Sequence, residues 1–366
     1  MPKSKIKRLY LIPILSKAID VLELLEEINN PVSLEDVYKK TNISKTSIYR
    51  ILKTFVHRGY VAHTQNGLYR LVSRPRRLRF GLALQSGDLP FSQAVGQSVM
   101  AAAAAAGIEV LQLDNRFDPE VALNNAERFV TERVDLVLEF QAEEAVAPRI
   151  AHILKKAEIP LIAIDVPHPN STYFGVDNFE CGYAAGLLLA EHTQFNWKGK
   201  VSAVLGVGFH EAGSFVQSRV QGAFEAIRAH LRNLPGDLFH EIDGRGSRLP
   251  SRAAFKAYLA KNPASRRILV AAATDSSALG VLDAARETGR ESDIAVVGQD
   301  CIPEAVEEMR TGRSALIGSV SHEAQTYGPK LIQLGVSLLR GYSVPPYNYV
   351  RHLVVTPKTL AEAEDQ

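Results

Sequence analysis

From Phe80 to Val320, short apolar runs recur at strand length with helix-length segments between them. The first group is "FGLALQ", "IEVLQLD", "VDLVLEF" and "IPLIAID". After Asp177 follow "KVSAVLG", "DLFHEID", "RILVAAA", "DIAVVGQD" and "ALIGSV". Alternation of this kind predicts an α/β fold, with parallel strands and helices on both faces. One sheet of ten or more strands is uncommon, so the pattern predicts two lobes. In open α/β sheets ligands sit beyond the carboxyl ends of the strands. That rule selects Gln85, Asp114, Glu139, Asp165, Thr274, Asp275 and Asp300 as cleft candidates.

The chain ahead of this region has a different texture. "SKAIDVLELLEEI" places Ala18, Ile19, Leu22, Leu25 and Ile28 at helical spacing, and "NNP" ends that helix. "SLEDVYKKT" restarts a helix with Ser33 and Asp36 in a capping-box arrangement. A third helix runs from the N-cap Ser44 toward Gly59, with Ile48, Ile51, Leu52 and Phe55 on a buried face. Thr46, Arg50, Lys53 and His57 fall on the opposite face. "YVAHT", Asn66-Gly67 and "LYRLV" predict a two-stranded hairpin around an Asn-Gly turn. Two short helices, the second cationic, followed by a hairpin make a winged helix-turn-helix.

A polar helix face taken alone is only a solvated surface, and the charge distribution decides otherwise. Residues 1–79 hold 16 Lys/Arg against 6 Asp/Glu, a net of +10, which leaves −8 for the rest of a chain whose total is +2. A basic end on an acidic body suits contact with a polyanion. Nucleic acid is expected rather than a membrane surface, because the amphipathic helices carry conventional acidic outer faces. "SRPRRLR" (Ser73 to Arg79) reads as a basic connector, either a solvated tether or a phosphate contact.

Other functions are disfavoured. No apolar run approaches the ~20 residues of a membrane span. The basic-then-apolar start "MPKSKIKRLYLIPIL" is interrupted by Pro13 and has no small-residue cleavage site, so it is expected to stay uncleaved. Cys181 and Cys301 match neither a zinc spacing nor a disulfide framework. They are read as packing residues in a cytoplasmic protein. "VLGVGFHEAG" follows a strand like a dinucleotide fingerprint, but Glu211 replaces the third glycine, and Glu241 and Asp243 lie beyond the ~20-residue spacing. With no Ser-His-Asp or metal-ligand cluster either, neither an enzyme nor a cofactor or metal is expected.

Over about residues 15–73, "SKAIDVLELLEE…VSLEDVYKKTNISKTSIYRILKTFVHRGYV…GLYRLV" resembles the winged helix-turn-helix of IclR-type transcription regulators. The resemblance implies that Lys45, Thr46, Ser47, Tyr49, Arg50 and Lys53 face DNA. Over about residues 80–358 the chain resembles the two-lobed periplasmic-binding-protein type I fold of sugar binders and of the sensor half of LacI-type regulators. "FGLALQSGDLPFSQAVGQ", "IPLIAIDVP", "FGVDNFECGYAAG", "RVQGAFEAI", "ATDSSALGVLDAARETG", "IAVVGQD" and "HEAQTYG" carry that likeness. It implies ligand contacts by Gln85, Phe91 and Asp165 from one lobe and by Arg219, Thr274, Asp275, Asp300 and His322. It also implies crossings between lobes at Asp177-Asn178 and Ser321-His322. Each residue has a bland alternative: Asp300 as a helix cap, Asp165 as a strand end, Arg219 as a surface cation, His322 as a packed histidine. Leu89 stands where the ribose pattern has asparagine and Ser92 where it has an aromatic, while "EIDGRGSR" lacks an expected aromatic. A carbohydrate other than ribose is therefore expected.

The organisation that follows is a DNA-binding domain (1–73), a linker (74–79) and a sensor (80–358). One lobe would take about 80–178 and 322–348, the other about 179–320 and 349–358. The expected function is a transcriptional regulator that binds operator DNA as a homodimer under control of a small effector. The alternative is the substrate-binding component of a sugar ABC transporter, which has no use for a basic winged helix. The LacI headpiece and hinge-helix sequence are missing.

Overall fold

The computed structural model describes residues 12–364 apart from 29, 65, 73–76 and 142. The chain divides into two compact units, Met1–Arg77 and Leu78–Gln366.

The first unit holds α1 (Pro13–Ile28), α2 (Leu34–Lys40), α3 (Lys45–His57), β1 (Val61–His63) and β2 (Tyr69–Leu71). Ser33 and Asp36 form the reciprocal capping box at the start of α2, with Ser33 N–H 3.0 Å from Asp36 Oδ2 and Asp36 N–H 3.1 Å from Ser33 Oγ. Ile48, Ile51 and Leu52 of α3 are buried against Val21, Leu25, Val37 and Val61, with Phe55 half-buried beside them. The inner face of α1 differs from the expected one. Ala18, Val21, Leu25 and Ile28 point inward, whereas Ile19 is exposed. A short helix with apolar residues on more than one side leaves the choice of face to packing.

The hairpin also closes differently. β1 and β2 pair antiparallel with His63 opposite Tyr69, and the Gly67 N–H donates to Thr64 O at 3.0 Å. Gly67, at φ +77°, supplies the left-handed bulge position of a longer turn instead of half of a two-residue Asn-Gly turn. Val32 pairs with Tyr69 on the far side and ties the wing to the start of α2. The uncleaved-leader expectation and residues 73–76 of the connector lie outside the described residues. Arg79 is no free connector cation. It opens the first strand of the second unit and pairs with Glu109 at 2.8 Å and Glu132 at 2.9 Å.

The second unit begins with β3 (Arg79–Leu84), α4 (Pro90–Ala106), β4 (Glu109–Asp114), α5 (Pro119–Thr131), β5 (Leu136–Glu139), α6 (Ala147–Lys156), β6 (Leu161–Ile164) and β7 (Thr172–Gly175). It continues with α7 (Asn178–Trp197), β8 (Ala203–Gly208), α8 (Gly213–His230), β9 (Phe239–Asp243), α9 (Arg248–Lys261), β10 (Ile268–Ala272), α10 (Asp275–Glu287), β11 (Ile294–Asp300), α11 (Pro303–Arg310) and β12 (Leu316–Ser321). Then come α12 (Tyr327–Leu339), β13 (Tyr347–Tyr349), β14 (Leu353–Val355) and α13 (Pro357–Glu364). The strands form two six-stranded sheets, ordered β13-β7-β6-β5-β3-β4 and β14-β12-β11-β10-β8-β9. All pairings are parallel except that of β14 with β12. The nine runs read as strands are strands. The short strands β7, β13 and β14 were not among those expected.

The chain passes between sheets after β7, after β12 and between β13 and β14. The central strands are buried on both faces, as parallel sheets require, while the edge strands β4 and β9 are partly exposed. The carboxyl ends of β3, β5 and β6 in one sheet, and of β8, β10 and β11 in the other, open onto the groove between lobes.

Candidate functional site

Asp165 lies one residue past β6 at φ +59°, and Asp300 ends β11 at φ +100°. Both conformations are costly for a non-glycine residue, and such strain is characteristic of sites the surrounding structure over-determines. Asp165 is buried, and Tyr327 Oη donates to its Oδ1 at 3.1 Å. Burial pushes this carboxyl up to about 7, while the nearby Arg219 guanidinium pulls the other way.

Arg219 projects from α8 and is itself buried. Its Nε donates to Asn178 Oδ1 at 2.6 Å and its Nη1 to Ala273 O at 2.8 Å; the same Nη1 lies 3.7 Å from Asp300 Oδ1. Its remaining terminal nitrogen makes no hydrogen bond among the described residues. The position of α8 rests on Gly182 and Gly186 of α7. A Cβ at either would collide with the α8 backbone at Arg219 or Ala223. The small residues of "ECGYAAG" therefore bring the Arg219 backbone against the lobe crossing.

These groups border an interlobe cavity of about 610 Å³ of empty space, including its mouth to solvent. Gln85, Phe91, Asp165, Arg219, Thr274 and Asp300 line it. The Thr274 hydroxyl is already engaged: it accepts from Ser277 N–H and donates to Gly246 O, both at 3.1 Å, as the cap of α10. Phe91 stands edge-on to Phe140 at 6.1 Å and to Tyr327 at 5.8 Å between ring centres.

Two expected contacts stand behind the wall. Asp275 is fully buried; it accepts from Ser319 Oγ at 2.7 Å and Ile302 N–H at 2.9 Å, so it ties α10 to β12. Burial and the neighbouring Asp300 push its carboxyl far up. His322, also fully buried, has Nε2 3.1 Å from Gln299 Oε1. Its Nδ1 is 3.2 Å from Asp300 Oδ1, at an angle too poor for a hydrogen bond. Burial and the Arg219 charge lower the affinity of this imidazole for a proton. It backs Asp300 instead of entering the cavity.

Asp114 and Glu139, selected by the strand-end rule, do not line the cavity either. Asp114 Oδ1 accepts from Arg116 N–H at 2.8 Å. Glu139 is fully buried; Asn115 Nδ2 donates to its Oε1 at 2.7 Å, and its Oε2 has no partner. Burial pushes this carboxyl up to about 8. The residues missed are mostly apolar: Leu89, Phe117, Phe140, Val166, Phe209 and Val216. Phe117 and Phe209 follow β4 and β8 closely, so the same rule would have found them had it not been confined to polar residues.

The lips of the cleft meet on the side away from the crossings. Ser214 N–H, at the start of α8, donates to Glu144 Oε2 of the other lobe at 3.0 Å. The adjacent Gly213, at φ +80°, leaves no room for a Cβ beside that carboxylate. Phe117 and Phe209 face each other across the cleft with ring centres 5.9 Å apart. This is a closed form. Burial pushes the thiols of Cys181 and Cys301 up to about 12, away from the thiolate form.

In the first unit, α3 exposes Lys45, Thr46, Tyr49, Arg50 and Lys53. Ser47 is partly withdrawn, since its backbone and hydroxyl both bond to the cap Ser44. Lys45 pairs with Glu35 of α2 at 2.6 Å and lies over the Tyr38 ring. The Lys53 ammonium stands 5.7 Å from the Tyr49 ring centre. Thr46, Tyr49, Arg50 and Lys53 are thus the side chains free to reach outward, and the wing adds exposed His63 and Arg70.

Residues 80–343 match the periplasmic binding protein domain family, and residues 14–65 match the IclR helix-turn-helix domain. Solved structures with the same fold include an ABC transporter solute binding protein from Actinobacillus succinogenes with bound D-allose. It is 19% identical, covers 78% of this chain and 99% of its own, and has a TM-score of 0.67. One from Bacillus halodurans with bound myo-inositol is 20% identical, covers 80% and 99%, and has a TM-score of 0.68. A Mycobacterium smegmatis protein in complex with β-D-fucofuranose is 20% identical, covers 79% and 94%, and has a TM-score of 0.69. No curated protein matches the chain.

Proposed function

For a chain that belongs to the periplasmic binding protein domain family and carries an IclR helix-turn-helix DNA-binding domain at its amino end, we propose a transcriptional regulator whose operator affinity is set by a small carbohydrate. The observation that carries this reading is the convergence of Asp165 from one lobe with Arg219 and Asp300 from the other on a single cavity. Carboxylates and a guanidinium hold hydroxyl groups in fixed geometry, and Phe91 offers an apolar face for a sugar ring. The neutral polyols in the related structures, D-allose and myo-inositol, suit the same chemistry.

A ligand gripped from both lobes stabilises the closed form, and it moves the DNA equilibrium by its differential affinity for the closed and open states. On the other unit, Thr46, Tyr49, Arg50 and Lys53 face the major groove and its flanking phosphates, the wing contacts the backbone, and Lys45, already paired with Glu35, contributes less. One recognition helix spans few base pairs. A homodimer on half-sites about one helical turn apart, or a multiple of it, follows. Such a regulator works in the cytoplasm, beside its DNA. The transporter reading gives the basic module no role.

The test is a thermal-shift screen of the full chain against a sugar panel, followed by calorimetry with each hit on Asp300→Ala. Loss of one charged hydrogen-bond partner is expected to weaken binding by ~1.5–3 kcal/mol. Operator binding by the ligand-free variant should match wild type. Wild-type sugar affinity in Asp300→Ala would remove this cavity as the sensor.

A further inference from the structure

Building on the reading of this cavity as a carbohydrate site, we infer that its occupant is an uncharged sugar or polyol with a deoxygenated end, a methyl or methylene where common sugars carry a hydroxyl. Two features of the cavity argue for this.

The first is the supply of polar partners. Among the described residues the polar side chains lining the cavity are Gln85, Asp165, Arg219, Thr274, Ser276 and Asp300. Several are partly committed: the Thr274 hydroxyl to Ser277 and Gly246, Asp165 to Tyr327, Arg219 to Asn178 and Ala273. Among them stands an apolar wall. Val166, Phe209, Ala212 and Val216 pack into one cluster with Phe117, drawn from both lobes, and their side chains offer neither donor nor acceptor. A sugar hydroxyl brought against that wall in the closed form would be stripped of water and left without a partner. A methyl group there buries apolar surface instead.

The second feature is charge. Arg219 is the one cation lining the cavity among the described residues, beside two carboxylates, Asp165 and Asp300. A phosphate or sugar acid would add an anion to a site that has no unshared positive charge for it.

The test measures calorimetric affinities of the full chain for matched pairs: D-fucose with D-galactose, L-fucose with L-galactose, and L-rhamnose with L-mannose. D-Glucose 6-phosphate and D-glucuronate are included. In at least one pair the 6-deoxy member is expected to bind about 10- to 100-fold more tightly, the range a buried apolar contact gives. Val216→Thr, which puts a hydroxyl on the wall at nearly constant volume, should shrink that ratio to about threefold or less. Equal or tighter binding of the hydroxylated member in every pair overturns the inference and leaves the carbohydrate reading standing. So does tighter binding of the phosphate or the uronate. An undiminished ratio in folded Val216→Thr removes the wall as its cause and overturns the inference too. Failure of every sugar to bind the folded wild-type chain overturns the carbohydrate reading itself, and this inference with it.

Discussion

In α3 the cations Arg50 and Lys53 stand in solvent on a helix whose other side fills a small core, whereas in the cleft Arg219 is buried and fastened at three points before any ligand arrives. The first arrangement works through the number of charges presented to a polyanion and is open to screening. The second works through geometry, at a desolvation cost that only well-placed partners offset. Substitutions in the two regions should therefore separate: folding and ligand response on one side, salt-dependent DNA affinity on the other.

The largest effect is expected at Arg219. Replacement by alanine orphans Asn178 Oδ1 and Ala273 O and leaves Asp300 without its guanidinium, so stability should fall by about 3 kcal/mol or more. Chemical denaturation followed by circular dichroism reads this directly. Arg50→Ala should leave the same curve unmoved. Equal curves for wild type and Arg219→Ala would mean that the buried guanidinium does not hold the lobe crossing.

A buried carboxyl outside the cavity gives the next effect. Glu139 has a folded-state pKa of about 8 against an ordinary 4.5, so the folded protein holds this proton more tightly than the unfolded chain does. The associated stability is fully present below about pH 4.5 and is lost as pH rises toward 8. Glu139→Gln keeps the bond from Asn115 and removes the titration. Its advantage over wild type should grow across that window to the order of 2–4 kcal/mol and level off above it. Parallel stability profiles from pH 5 to 9 would exclude the buried carboxylate as their source.

In the DNA-binding unit the contrast sharpens into a salt measurement. If Arg50 and Lys53 each neutralise a phosphate, replacing both by alanine should flatten the log–log salt dependence of operator binding by roughly 1.8, about 0.9 per contact. Lys45→Ala should do less, because its charge is already shared with Glu35. A larger change at Lys45 than at Arg50 would reverse the assignment of free and committed cations. The smallest effect belongs to the cleft lip. Glu144→Ala removes the interlobe bond to Ser214 N–H and should weaken sugar binding by about 1 kcal/mol without touching a lining residue. Unaltered affinity there would show that closure does not depend on the lip.

Much of this molecule was written locally. Nine strands were visible as apolar runs, most of them because a central parallel strand is buried on both faces, and the capping box of Ser33 and Asp36 needs only four residues to form. Asp165, Arg219 and Asp300 could be singled out because strand ends and motif order place them. What the local pattern could not carry is direction and partnership. The sequence marks strand ends but not the side to which a residue there turns, so Glu139 at the end of β5 and Asp275 at the start of α10 looked equivalent to Asp165 until packing turned them away from the cavity. The commitment of Lys45 to Glu35 depends on how α2 lies beside α3. The apolar wall joins Val166 to Phe209 and Val216 only when two separately formed sheets close on each other. Hydrogen bonding and hydrophobic periodicity act over a few residues and so appear in the sequence; the contents of a cleft are decided by the meeting of lobes whose chain is shared through three crossings, and only the tertiary structure brings them together.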